Sequence, residues 1–155
     1  MKQQSGPNLL SRRQVLLTGS AALCLASLPA SVLAKPEEVK EKIIEWFGDH
    51  PIQEGRVKVT TPPISENGYS VPFTVEVDSP MTANDHVKRI AVYAEKNPLP
   101  NVANFELGPH AGLAKISTRI RLGDSQRIVA VAEMSDGSLW SGFSFSVVTL
   151  AACVL

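Results

Sequence analysis

The chain has 155 residues, of which 44% are hydrophobic and 19% charged. Fifteen lysines and arginines balance fifteen aspartates and glutamates, so no basic excess points to nucleic acid and no acidic run to a disordered tail. The length fits one domain, the apolar share supports a packed core, and two cysteines are too few for a disulfide framework or a tetrahedral zinc cluster.

Residues 1–34 contain no acidic side chain, and Lys2, Arg12 and Arg13 supply their positive charge. Val15 to Val32 form a mostly apolar stretch rich in alanine and leucine, ending in Val32-Leu33-Ala34. Charge, apolar core and small residues in that order predict a secretory signal cut before Lys35. Ser, Thr, Gly and Pro interrupt the stretch, which argues against a retained membrane anchor. Arg12-Arg13 just ahead of the apolar core has the form of the twin-arginine export address, a route that carries folded proteins. Cys24 lies inside this core and leaves with it. The remainder, from residue 35, keeps twelve of the fifteen basic side chains and all fifteen acidic ones, a net charge of −3, with Cys153 as its single cysteine.

Pro36 through Phe47 reads as a helix. Pro36 suits a first helical position, and Glu37, Glu38 and Glu41 favour the positive N-terminal end. Val39, Ile43, Trp46 and Phe47 recur at helical spacing, and Gly48 can end the helix. This stripe is expected to pack on the domain; the alternative is a partner interface around Trp46 and Phe47. After Gly55 the period changes to two. Strands are expected around Val57 and Val59, over Val71 to Val77, around Ile90 and Val92, over Val102 to Leu107, over Ile116 to Leu122 and over Ile128 to Met134. The last pairs with Leu139 to Leu150 across Ser135-Asp136-Gly137-Ser138, a hairpin signal. About seven strands at this spacing predict an all-β, immunoglobulin-like sandwich, with a small barrel as the rival. The domain division is thus 1–34 export signal, 35–150 sandwich with its N-terminal helix, and 151–155 a C-terminal arm.

That arm, Ala151-Ala152-Cys153-Val154-Leu155, follows the last strand. Five extended residues reach roughly 17 Å, and Ala151 and Ala152 make it thin enough for a narrow channel. A free thiol titrates near pH 8.5 and reacts as the thiolate, yet no Lys, Arg or His lies between Ser141 and Leu155. Such an arm is poorly equipped for catalysis and suited to being carried. The alternative is a non-catalytic exported interaction module in which Cys153 packs at a strand end or forms an intermolecular disulfide; a thiol oxidoreductase lacks its second cysteine. His50, His86 and His110 are scattered without metal-ligand spacing and are expected in loops. Glu106 and Glu133 fall in strand-like runs without a paired acid, and Gly108, Gly112 and Gly123 form no phosphate loop.

Several blocks are similar to the SoxY family of sulfur-oxidation carrier proteins. They are Ile64 to Gly68, Val71-Pro72, Val77 to Thr82, Ala94 to Pro98, Ser117 to Leu122 and Ala130 to Ser138. They cover most of the chain from about residue 57 to 150, in the family order. The resemblance implies a mobile C-terminal arm on an immunoglobulin-like sandwich that pairs with a second sandwich protein, SoxZ. It implies a periplasmic carrier, without catalytic activity or a cofactor of its own. The arm cysteine, here Cys153, holds thiosulfate-derived sulfur while haem-, manganese- and molybdenum-dependent enzymes act on it. Neither nucleic acid nor membrane is an expected partner. The family's usual arm is Gly-Gly-Cys-Gly-Gly. Here Ala151 and Ala152 restrict the backbone where glycine does not, and Val154 and Leu155 add bulk.

Overall fold

The computed structural model describes residues 36–152. The export address with Arg12 and Arg13, and Cys153, Val154 and Leu155, lie outside the described residues.

Among the described residues one helix, α1 (Pro36–Phe47), precedes nine strands. The seven expected strands are all present: β2 (Val57–Thr60), β4 (Val71–Val77), β5 (Val87–Ala94), β6 (Asn101–Glu106), β7 (Lys115–Ile120), β8 (Gln126–Met134) and β9 (Leu139–Val148). Two short ones join them, β1 (Ile52–Glu54) and β3 (Ile64–Ser65). Both lie parallel to β9, at opposite ends of it. They lack their own alternating pattern, so only their partner defines them. β9 ends at Val148 rather than Leu150, because its pairing with β8 stops at Ser146 and the chain bends at Thr149 and Leu150.

The strands form two sheets. The larger has the order β1-β9-β8-β5-β6, with β3 also on β9; the smaller is β2-β4-β7. β4 shows clean alternation, burying Val71, Phe73, Val75 and Val77, as a strand with one solvated face should. β5 and β8 instead bury residues on both faces. Ile90, Val92, Ile128, Ala130 and Ala132 point into the core between the sheets. Ala91, Tyr93 and Val131 point outward, where α1 covers them with Val39, Ile43 and Phe47. The helix stripe therefore packs on its own domain, each of those three side chains contributing roughly 2 kcal/mol. Trp46 sits at the rim, 36% exposed, with the Arg89 guanidinium 5.8 Å from its ring centre. Burial beneath the helix pushes the Tyr93 phenol up to about 12.

The sheets meet where β2 passes against β9. A side chain at Gly142 would strike the Val57 carbonyl, so glycine is the residue that permits this approach. No helix among the described residues is long and apolar enough to cross a membrane.

Candidate functional site

The end of the sandwich from which the C-terminal segment leaves is built by four loops. They follow β3, β5, β7 and β9. Gly68 is their junction. Its N–H donates to the Leu150 carbonyl at 2.8 Å, and its own carbonyl accepts from Leu122 N–H at 2.9 Å. Leu122 then accepts from Ala152 N–H at 3.1 Å. Further back, Thr149 N–H donates to Ser65 at 3.1 Å, and its hydroxyl donates to the Glu66 carbonyl at 2.8 Å. Ser125 Oγ accepts from Val148 N–H at 2.9 Å and lies 3.3 Å from the Val148 carbonyl. The strand-like pairing thus continues past β9 through loop partners, and Ala151 and Ala152 are half-buried.

Glycine is required at position 68. A Cβ there would collide with the Leu122 carbonyl and lie 3.1 Å from Ala152 N. The colliding atom is backbone, so no rotamer change relieves it.

Behind this junction lies a buried polar pair, Asn97 and Gln126, 5% and 1% exposed. Gln126 Nε2 donates to Asn97 Oδ1 at 2.9 Å. The same oxygen accepts from Gly123 N–H at 2.8 Å. Asn97 Nδ2 donates to the Arg121 carbonyl at 2.9 Å, and Gln126 Oε1 accepts from Lys96 N–H at 2.7 Å. The pair locks the β5–β6 loop to the β7–β8 loop, and so fixes Leu122, which holds Ala152. Among the described residues no buried side-chain nitrogen or oxygen lacks a partner, as a polar network inside a core requires. At its rim Lys96 pairs with Asp124 at 2.9 Å. The Lys96 hydrogen bond, together with the Ser125 N–H, holds the Asp124 carboxyl below its ordinary value.

The other sequence candidates do not converge here. His50 and His110 are exposed, one after α1 and one in the 3-10 turn Pro109–Ala111. His86 is half-buried, its Nδ1 3.1 Å from the Thr82 carbonyl. Glu106 is exposed on β6. Glu133 lies near the opposite end, bonded to Lys88 at 2.8 Å and to Arg89. Among the described residues no three His, Cys, Asp or Glu side chains form a group able to hold a metal. Sequence reading had Gly68, Asn97 and Leu122 only inside blocks similar to the SoxY family, and missed them and Gln126 as parts of the arm-end framework.

The arm root is thus pinned up to the residue before Cys153. The model of the family described as "Sulfur oxidation protein SoxY" matches residues 43–153, and so reaches Cys153 itself. The chain belongs to the SoxY family. It is also similar to the sulfur carrier protein SoxY from Chlorobium limicola f thiosulfatophilum, at 29% identity and a TM-score of 0.63, over 74% of this chain and 98% of that one. The superoxide reductase (neelaredoxin) of Ignicoccus hospitalis is similar at 15% identity and a TM-score of 0.54, over 79% and 99%. A putative superoxide reductase from Thermotoga maritima gives 19% and 0.51. These last two likenesses show the fold alone. No curated protein matches the chain. In SoxY terms, the junction at Gly68 and Leu122 is the base on which this chain's C-terminal segment stands.

Proposed function

We propose that this SoxY-family protein is a periplasmic carrier of sulfur-oxidation intermediates, exported through Arg12-Arg13, with cargo bound covalently to Cys153. The observation that carries the reading is that the family match runs to Cys153, the residue directly after a root tied down at Ala152. Support for the carrier role also comes from the 29% identical Chlorobium protein, a sulfur carrier. The protein itself is a non-catalytic handle. It forms a heterodimer with a SoxZ-like sandwich, and separate haem-, manganese- and molybdenum-dependent enzymes receive the segment 151–155.

With thiosulfate as cargo, the Cys153 thiolate bonds the outer sulfur of the ion. Forming that S–S bond releases two electrons, taken by a haem enzyme, and the thiol proton goes to solvent. Hydrolysis of the distal S–S bond by a metal-dependent enzyme then releases sulfate and leaves a cysteine persulfide. Intact mass spectrometry after thiosulfate exposure, with the proteins of the host periplasm present, tests the reading. A thiosulfate or persulfide adduct on the wild type, absent from Cys153→Ser, is expected. Unmodified Cys153 under those conditions, or full host activity with Cys153→Ser, overturns it.

A further inference from the structure

Among the described residues each sheet ends on a strand with one free edge, and the two edges border one cleft. β6 closes the larger sheet and β7 the smaller. Between these free edges runs a cleft of about 510 Å³, walled by Leu99, Val102, Phe105 and Ile120 and flanked by Arg119 and Arg121. Leu99 is 80% exposed. Among the described residues no acidic side chain lines the cleft. Neither arginine joins an ion pair among the described residues. Arg119 donates to the carbonyl and hydroxyl of Ser70, and no carboxylate among the described residues compensates its charge. The cleft therefore combines apolar walls, two cationic heads and two strand edges with backbone groups that the sheets do not use. Those are the elements by which an extended chain is bound along a sheet edge.

The cleft is also continuous with the arm root. Arg121 lines it, and the next residue, Leu122, holds Ala152. Successive Cα atoms are about 3.8 Å apart, so a protein gripping residue 153 must lie against this end of the sandwich. On the carrier reading above, we propose that the β6–β7 cleft docks an extended, acidic segment of the enzyme that receives Cys153. Charge complementarity to Arg119 and Arg121 selects that segment, and apolar residues alternating with its carboxylates fill the cleft. A second apolar surface, Phe143, Phe145 and Val147 on β9 with Ile64 beside it, has no charge pattern that names an occupant.

The test uses the isotopically labelled chain from residue 35 and a blocked hexapeptide alternating glutamate and valine. A matching lysine–valine peptide is the control. NMR titration should shift the amides of residues 101–106 and 117–121 with the acidic peptide only. Arg121→Glu should weaken that binding at least tenfold. It should also slow adduct formation at Cys153 at least tenfold in the mass-spectrometric assay, while alkylation by iodoacetamide stays unchanged. Arg119→Glu repeats the test should Arg121→Glu lose its native circular dichroism. Equal binding of the lysine peptide, shifts confined to 143–147, or unaltered adduct formation in a folded variant overturns the proposal. Failure of the carrier reading is recognised separately, as an unmodified wild-type Cys153.

Discussion

The two ends of the sandwich are held by different chemistry. At the β8–β9 hairpin the tip residues hold one another, and only Ser135 ties the turn to a distant loop, its N–H donating to the His86 carbonyl at 2.8 Å and its hydroxyl to the Asn84 carbonyl at 3.0 Å. Asp136 Oδ1 accepts from Ser138 N–H at 2.9 Å and from its hydroxyl at 2.7 Å, and Gly137 takes a φ of +83°. At the arm end, Asn97 and Gln126 reach across 29 positions of sequence, and Gly68, Leu122 and Ala152 come from three segments. At the tip, Asp136 to Ser138, the bonds run between neighbours, so a change there reaches little else. A junction made of distant loops transmits any change to all of them. The C-terminal segment leaves from the second kind of end, so its base is fixed by the core itself.

The contrast can be broken most sharply by placing a methyl group at each end. Gly68→Ala drives a Cβ into the Leu122 carbonyl and should lose about 3 kcal/mol, read by urea unfolding. It should also abolish hydrogen-exchange protection at the Ala152 amide. Protection retained at Ala152 would show that the root is held elsewhere. Asn97→Ala strips partners from Gly123 N–H and the Arg121 carbonyl. A loss of about 2 kcal/mol is expected, with faster exchange at Ala152 although the residues are far apart in sequence.

At the hairpin end Glu133 sharpens the comparison through pH. Burial alone would raise its pKa, but hydrogen bonds from Lys88 and Arg89 and their charges outweigh this and hold it below the ordinary 4.5. A lowered folded-state pKa means the contribution is complete above 4.5 and is lost as pH falls through the folded value. Glu133→Gln should therefore be less stable than the wild type by about 1.5 kcal/mol at pH 7. The gap should narrow in urea titrations below pH 4, while Ala152 exchange stays unchanged. The smallest effect belongs to Gly137→Ala. No atom lies within 4 Å of its added Cβ, so only left-handed backbone strain remains, about 1 kcal/mol. That variant, too, should leave Ala152 protected.

Period-two alternation made β4 legible, because one of its faces packs and the other meets water. It showed β5 only around Ile90 and Val92, since α1 buries the second face of β5 and removes the polar half of the pattern. The hairpin was plain from Ser135-Asp136-Gly137-Ser138, whose residues carry their own turn chemistry. Of the arm end, the cysteine was visible by being alone, and Gly68 only as the end of a block similar to the family. Asn97 and Gln126 gave no sign of burial, because an amide reads as surface until its partners are known.

The sequence by itself determined the family blocks, the helix, the seven principal strands and the candidate thiol, since each depends on residues near one another in the chain. Only the tertiary structure decided that β1 and β3 pair with β9, that α1 roofs the larger sheet, and that the segment is anchored as far as Ala152. Those outcomes rest on backbone groups and amides meeting across long separations, and the satisfaction of a buried hydrogen bond is a property of the place where two segments meet.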